Sequence, residues 1–300
     1  MDQAPGTLSV AESIRQTLHA AMAADPNVVL LGESVGQLGG VFRTTQGLLE
    51  TFGPERVIQT PLSENATVGM AIGMAMGGKR PVVELVGGAA GAYAQITREL
   101  AELSSAEFPL PVVLRIPLGE LPGGLHTESL AGALLGLEGL SVHCPSTPAQ
   151  AAHVLSQALQ ARGPTVILES LGCYGDRSDR AAQDGAAILR SGRDATLVSY
   201  GAGVQACLKL ADSSPHEVGV IDLSRLHPLD SPTLAQALRE SGRLILATAG
   251  PASAHSNGAL GDRVLAELTR AAFLYLESPP VAVPATEKAL NQALSSSLRF

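Results

Sequence analysis

Two hydrophobic patterns alternate along this chain of 300 residues. Residues 28–31 form a continuous apolar run, which is typical of a strand buried on both faces. A capping box at Ser9 and Glu12 begins a stretch with an apolar residue at every fourth position, which predicts a helix. Similar patterns predict further helices at 65–78, 91–105, 148–161, 203–212, 231–240, 257–271 and 285–297. They predict further strands at 81–86, 111–116, 140–143, 165–169, 195–200, 217–223, 243–248 and 273–276.

This alternation predicts the fold class. Strands separated by helices form parallel sheets with helices on both faces, so we expect an α/β protein with two doubly wound domains. Segment 172–193 is polar and has little periodicity, as expected of a linker between domains. The predicted domains are therefore 1–185, with the linker at its end, and 186–300.

Composition and charge argue against several classes of function. The net charge is −8 and there is no basic run, which argues against nucleic acid or an anionic membrane surface as a partner. No apolar run reaches the roughly 18 residues of a membrane span, so we expect a soluble, cytoplasmic protein. The three cysteines are too few and too scattered for a disulfide framework or a zinc site, and we assign no metal ligand to this chain.

The turn Thr60-Pro61-Leu62-Ser63-Glu64-Asn65 carries the main candidate for chemistry. Pro61 cannot donate to a sheet ladder, so the preceding strand should end there. Ser63 or Asn65 can then cap the helix that follows. Glu64 would lie beyond the carboxyl end of a strand, where open α/β sheets bind ligands. The alternative is an exposed acid that only stabilises the helix dipole.

Three glycines share one face of the helix predicted at 65–78, namely Gly69, Gly73 and Gly77. Each costs roughly 1 kcal/mol relative to Ala inside a helix, so the spacing indicates a close approach by another helix. That helix belongs either to the same domain or to another subunit.

The segment Gly32-Glu33-Ser34-Val35-Gly36 matches the nucleophile-elbow pattern of α/β-hydrolases. That motif requires a helix to begin directly behind the serine. The residues that follow, Gln37-Leu38-Gly39-Gly40, do not support a helix, and we therefore reject a hydrolase.

Seven segments carry a family resemblance: Gly32-Glu33-Ser34-Val35-Gly36, Gly39-Gly40-Val41-Phe42, Phe52-Gly53-Pro54-Glu55-Arg56-Val57-Ile58, Thr60-Pro61-Leu62-Ser63-Glu64, Pro145-Ser146-Thr147-Pro148, Ile221-Asp222-Leu223 and His227-Pro228-Leu229-Asp230. They run in order through nearly the whole chain and resemble the beta subunit of 2-oxoacid dehydrogenases. That subunit belongs to the thiamine-diphosphate decarboxylase component of pyruvate or branched-chain type. The resemblance implies a pyrimidine-binding domain followed by a transketolase-type C-terminal domain.

The resemblance also implies roles for three residues. Glu64 would hydrogen-bond a ring nitrogen of the cofactor's aminopyrimidine and so assist loss of the thiazolium proton. Leu62 would face the pyrimidine through its backbone. His126 would act where acyl transfer occurs, and its alternative is an exposed loop residue.

The chain departs from the family pattern after Val86. Ala90 stands where relatives carry an aromatic ring that stacks on the pyrimidine, so we expect a wider pocket unless Tyr93 supplies the ring. The alternative for Tyr93 is a simple core residue.

The magnesium motif of the family, which begins Gly-Asp-Gly, is also absent. Gly175-Asp176 and Gly261-Asp262 both continue with Arg. The resemblance therefore implies an alpha-type partner that holds magnesium and shares thiamine diphosphate in an alpha2-beta2 assembly.

Three functions are compatible with these features. The first is a beta-type subunit that decarboxylates a 2-oxoacid and passes the acyl group to a lipoyl or carrier domain. The second is a transketolase-like transfer of a two-carbon ketol unit to an acceptor such as a carrier protein. The third is a noncatalytic scaffold subunit that has kept the fold.

Overall fold

A computed structural model of the chain describes residues 8–87, 90–105, 108–119, 131–248 and 258–300. The first half contains α1 (Val10–Ala24), β1 (Val28–Gly32), α2 (Leu48–Phe52), β2 (Val57–Gln59), α3 (Glu64–Met76), β3 (Arg80–Glu84), a π-helix (Gln95–Ala101), α4 (Glu102–Ser105), β4 (Val113–Leu118), α5 (Ala131–Leu134), β5 (Ser141–His143), α6 (Pro148–Gln160), β6 (Thr165–Ser170) and a 3₁₀ turn (Leu171–Cys173). The second half contains β7 (Ala186–Arg190), β8 (Ala195–Ser199), α7 (Gly203–Ser213), β9 (Val218–Leu223), β10 (Arg225–His227), α8 (Ser231–Ser241), β11 (Leu244–Thr248), α9 (Gly258–Ala272), a 3₁₀ turn (Phe273–Tyr275), β12 (Val281–Pro284) and α10 (Glu287–Ser297).

The described strands form two sheets. The larger sheet has the order β10-β5-β6-β4-β3-β1-β2, and the smaller has the order β12-β11-β8-β9-β7. All neighbouring strands are parallel except β10 beside β5 and β7 beside β9. The predicted α/β fold with two sheets is confirmed. Among the described helices, none is both long and apolar enough to cross a membrane.

The structure corrects two sequence predictions. The strand predicted at 273–276 is wrong, because Phe273–Tyr275 form a 3₁₀ turn and the last strand is Val281–Pro284. Phe273 is 70% exposed, so an apolar run alone did not identify a buried strand here. The polar segment 172–193 is not linker throughout, since Ala186–Arg190 form the antiparallel edge strand of the second sheet.

The two halves of the chain share one core. A single cluster of buried side chains includes Leu114 of the first sheet and Ile221 of the second. Strand β10 comes from the second half but pairs with β5 of the first sheet. Ser146 also donates a hydrogen bond of 2.5 Å to the buried carboxylate of Asp222, across the junction between the sheets. The relative placement of the two sheets is therefore fixed by backbone pairing, apolar packing and a buried polar contact. The domain boundary between 185 and 186 stays a prediction.

A fully buried arginine lies in the first sheet. Arg115 of β4 donates two hydrogen bonds to Glu169 of β6, from Nε at 2.7 Å and from Nη2 at 2.9 Å. Its Nη1 donates to Glu84 of β3 at 2.9 Å. Tyr174 adds a hydrogen bond of 2.6 Å to Glu169. These side chains form the buried ion cluster of Arg115, Glu84, Glu169 and Tyr174, which joins three neighbouring strands.

The cluster also holds the loop that follows β1. Thr44 in that loop donates to Glu84 Oε2 at 2.9 Å, and Gly40 packs against the same carboxylate. The other oxygen of Glu84, Oε1, is buried without a hydrogen-bond partner among the described residues. Burial raises the pKa of Glu84, and repulsion from Glu169 adds to the rise although Arg115 opposes it. Arg115 is thus the only cation that the described residues place against these two carboxyl groups, and both depend on it.

A histidine lies where the two halves pair. His143 of β5 stands opposite Arg225 of β10 in the sheet register, and its Nε2 lies 2.8 Å from Ser141 Oγ. Burial, with help from the charge of Arg225, lowers the pKa of His143 to about 4. Asp184, which opposes this shift, and His153 are the other ionisable groups that act on the ring. His143 is therefore neutral in the folded chain at physiological pH.

The buried ion cluster generates our first prediction. Arg115→Met should lower the free energy of unfolding by about 3 to 5 kcal/mol, because it leaves two carboxylates buried without their cation. Glu84→Gln should lower it less, by about 1 kcal/mol, because Arg115 stays paired with Glu169 and glutamine keeps an oxygen that can accept its hydrogen bond. Urea unfolding of both variants measures the difference. Equal losses in the two variants would show that Arg115 is not the central group of the cluster.

The junction histidine generates the second prediction. His143 titrates near 6.5 when unfolded and near 4 when folded, so the unfolded chain takes up the proton first. Its contribution to stability is complete above pH 6.5 and is lost as the pH falls towards 4, by up to about 3 kcal/mol. His143→Gln should reduce the slope of unfolding free energy against pH in this window. An unchanged slope in the variant would show that His143 is not the group responsible.

Candidate active site

Glu64 is the first residue of α3 and lies at the carboxyl edge of the first sheet. Strands β1, β2 and β3 are parallel, so their carboxyl ends meet at this edge. Four residues separate the end of β2 at Gln59 from the start of helix α3 at Glu64, and the proline in this turn predicted the end of the strand. Ser63 occupies the N-cap position, but its side chain makes no capping hydrogen bond.

The turn before Glu64 is anchored from both sides. The Thr60 N–H donates to the carbonyl of Gly32, the last residue of β1, at 3.0 Å. The Thr67 hydroxyl donates to the Ser63 carbonyl at 3.0 Å and contacts the Thr60 hydroxyl at 3.2 Å. These bonds fix the start of α3 relative to β1, and thereby fix the backbone that carries Glu64.

The Glu64 carboxylate contacts the segment that follows β3. Its Oε2 accepts a hydrogen bond of 2.7 Å from the Gly91 N–H. A Cβ atom on Gly87 would lie 2.5 Å from Oε1, and one on Gly91 would overlap Oε2. We call Gly87 and Gly91 together the glycine cradle. Only residues without a side chain allow the carboxylate to occupy this place.

A second carboxylate lies near the first. Glu33 directly follows β1, and burial together with the charge of Glu64 raises its pKa. Glu33 lies in the segment Gly32-Glu33-Ser34-Val35-Gly36, but the sequence alone did not predict it as a site residue. Its position in the sequence could have indicated a role, because a residue directly after β1 lies at the same edge of the sheet as Glu64. The structure therefore brings two acids together where one was predicted.

The surface around Glu64 is partly apolar. Leu62, two residues before Glu64, is 78% exposed, and Met70 and Met76 are exposed further along α3, Met76 at its opposite end. Tyr93 is 41% exposed, so it is not the core residue considered as an alternative. Ala90 is also exposed. Whether the backbone of Leu62 faces a cofactor stays a prediction.

The glycine face of α3 has no close helix neighbour within the described chain. A Cβ on Gly73 would have no atom within 4 Å, and one on Gly69 would make only an ordinary contact of 3.8 Å with Gln95. Gly77 follows the helix as its C-cap. Among the described residues, the structure therefore does not show the first alternative, a tight contact between this glycine face and a helix of the same domain.

Two further candidates from the sequence are His126 and the possible nucleophile Ser34. His126 falls in 120–130, outside the described residues, so its role in acyl transfer stays a prediction. No helix begins behind Ser34, because the next helix starts at Leu48. The rejection of a hydrolase therefore agrees with the structure.

Comparison with known proteins identifies the family. Residues 6–175 match the family model of the transketolase pyrimidine binding domain, and residues 184–296 match that of the transketolase C-terminal domain. The chain is 35% identical to the pyruvate dehydrogenase E1 component subunit beta of Leifsonia xyli subsp. xyli, over 92% of this chain and 86% of the relative. It is also 35% identical to the 3-methyl-2-oxobutanoate dehydrogenase subunit beta of Mycobacterium tuberculosis, over 91% of this chain and 82% of the relative.

A solved structure supports the fold independently. A split-gene transketolase, described as an inactive beta4 tetramer, superposes with a TM-score of 0.77 at 21% identity, covering 98% of this chain and 99% of that one. The family resemblance inferred from the sequence is thus confirmed. This chain belongs to the thiamine-diphosphate-dependent transketolase-like family, among the beta subunits of 2-oxoacid dehydrogenase E1 components.

Proposed function

We propose that this chain is the proton-handling subunit of a 2-oxoacid decarboxylase. It binds the aminopyrimidine of thiamine diphosphate through Glu64 and is active only with an alpha-type partner. The observation that carries the proposal is the position of Glu64, an anchored and oriented carboxylate at the ligand-binding edge of the first sheet. The relatives are named for pyruvate and 3-methyl-2-oxobutanoate, which are both 2-oxoacids.

The residues present fit the pyrimidine half of the cofactor. Glu64 is half-buried, its Oε2 is held by one N–H, and a carboxylate oxygen can accept further hydrogen bonds. A ring nitrogen that exchanges a proton is the natural partner for such an acid. When bound, thiamine diphosphate supplies the nucleophilic carbon that adds to the carbonyl of the 2-oxoacid.

The protein's contribution is control of a proton. Glu64 would hold a proton between its carboxylate and the pyrimidine nitrogen. Glu33, whose pKa is raised, keeps a second protonatable group close to it. The Leu62 backbone would contact the pyrimidine beside Glu64, and His126 would act at the acyl-transfer step.

The partner would supply what this sequence lacks. No Gly-Asp-Gly start is present in the sequence, so we assign magnesium and the diphosphate group to an alpha-type subunit. The exposed apolar residues beside Glu64 and the open Gly73 face suit a second protein surface. We propose an alpha2-beta2 assembly that passes its acyl group to a lipoyl or carrier domain, with a cytoplasmic location.

The test reconstitutes the chain with an alpha-type subunit of the same family. The complex should release CO2 from pyruvate or branched 2-oxoacids in the presence of thiamine diphosphate and magnesium. Turnover of ketose phosphates instead would favour ketol transfer. Failure of the intact complex to bind thiamine diphosphate would favour a scaffold subunit.

Glu64→Gln provides the third prediction. Glutamine keeps the size of the side chain but cannot share a proton, so activation should slow by about 100-fold or more while folding is unchanged. The measurement is deuterium exchange at the thiazolium carbon of the bound cofactor. Glu287→Gln is the matched control, because Glu287 is also the first residue of a helix, α10. Exchange at the wild-type rate in Glu64→Gln would remove Glu64 from this role.

Gly73→Leu provides the fourth prediction. The isolated chain should fold normally, since a side chain at this position meets open space. Assembly with the partner should be lost, because a bulky residue in a close helix crossing costs about 1 to 3 kcal/mol at each of two symmetric sites. Analytical ultracentrifugation of the mixed subunits measures this loss. Gly175→Leu, which also meets open space but lies away from α3, is the control. Normal assembly of the Gly73 variant would show that the glycine face is not an interface.

A further inference from the structure

The Glu64 carboxylate is held from one side only, and by a segment distant in sequence. Its two oxygens face two different glycines, Oε1 against Gly87 and Oε2 against Gly91. Gly91 is 27 positions away along the chain and donates the only hydrogen bond that the described residues make to this carboxylate. The contact therefore joins α3 to the segment after β3.

This contact restricts a side chain that would otherwise move. A glutamate has three side-chain torsions, and a half-exposed one at a helix start samples several rotamers. A hydrogen bond of 2.7 Å from a main-chain N–H to a carboxylate is charge-assisted and strong. It fixes the plane of the carboxylate and leaves the remaining lone pairs available to a ligand.

The missing side chains matter as much as the hydrogen bond. The gap between the segment after β3 and α3 admits the carboxylate only because neither glycine carries a Cβ. Any side chain at position 91 would overlap Oε2, so the flexible end of Glu64 would have to rotate away. The backbone could then persist while the acid changed its direction.

We propose that Gly87 and Gly91 are positioning residues, which hold the Glu64 carboxylate in the orientation that the pyrimidine ring requires. The Gly91 N–H supplies the orienting hydrogen bond, and the bare Cα of Gly87 supplies the space for Oε1. This inference rests on the proposed function for its consequence, but the contact itself can be tested without cofactor.

The first experiment uses the full chain alone. In a sample labelled with ¹⁵N-glycine, the amide resonance of Gly91 should move in Glu64→Gln, because the carboxylate oxygen that accepts its hydrogen bond is replaced by an amide. The Gly91→Ala variant identifies the resonance by its loss. The amide resonance of Gly175, which lies away from Glu64, should not move in Glu64→Gln. If the Gly91 resonance does not respond to Glu64→Gln, Gly91 does not hold the Glu64 carboxylate and the proposal is wrong.

The second experiment measures thiamine diphosphate binding by calorimetry in the reconstituted complex. Gly91→Ala should weaken binding about tenfold, and Gly87→Ala should also weaken it. In a Glu64→Ala background, Gly91→Ala should have no further effect, since there is no carboxylate to orient. Gly175→Ala, a glycine with open space around it, should bind as the wild type does.

The outcomes separate the two proposals. Equal weakening by Gly91→Ala with and without Glu64 would mean that Gly91 only supports the local structure, which overturns the positioning role. A wild-type complex that binds no thiamine diphosphate would overturn the proposed function. The comparison of the Gly91 amide resonance between the wild type and Glu64→Gln would then still decide whether the cradle exists.

Discussion

The first sheet depends on one buried cation. Arg115 carries a full positive charge on a side chain with no solvent-exposed surface, and this is tolerable only because it makes three hydrogen bonds to two carboxylates. Its partners come from the strands on either side, so the pairing fixes β3, β4 and β6 relative to one another. Removing the cation would leave Glu84 and Glu169 facing each other in a low-dielectric interior. The cluster is therefore a condition for the packing of this part of the sheet.

The geometry of the candidate active site depends on this cluster. Glu84 is the last residue of β3, and the segment that contains Gly87 and Gly91 starts directly after it. Thr44 connects the same carboxylate to the loop after β1, which carries Glu33. The two segments that meet Glu64 are thus attached to one buried anchor. An acid at the surface needs such an anchor for its side chain, because the helix that carries the acid fixes only its backbone and not the direction of its carboxylate.

Local signals in the sequence predicted most elements, because capping residues and apolar periods depend on neighbours along the chain. The capping box at Ser9 and the end of the strand before Pro61 are examples. Features that depend on distant partners were not predicted. Glu33 received no role because only the folded sheet brings it near Glu64, and the function of Gly91 depends on a residue 27 positions away. The exposed run at Phe273 shows the same limit, since burial is a tertiary property.

The exposure of Glu64 explains in physical terms why the proposed activity belongs to an assembly. A half-exposed carboxylate in water interacts weakly with a ring nitrogen, because water screens the charge and competes for the hydrogen bond. This chain orients the acid through Gly91 but does not enclose it, and apolar Leu62 lies exposed beside it. A second surface on Leu62 would exclude water from Glu64 and strengthen its hydrogen bond to the cofactor. Assembly would then activate Glu64, whose carboxylate the isolated chain has already oriented.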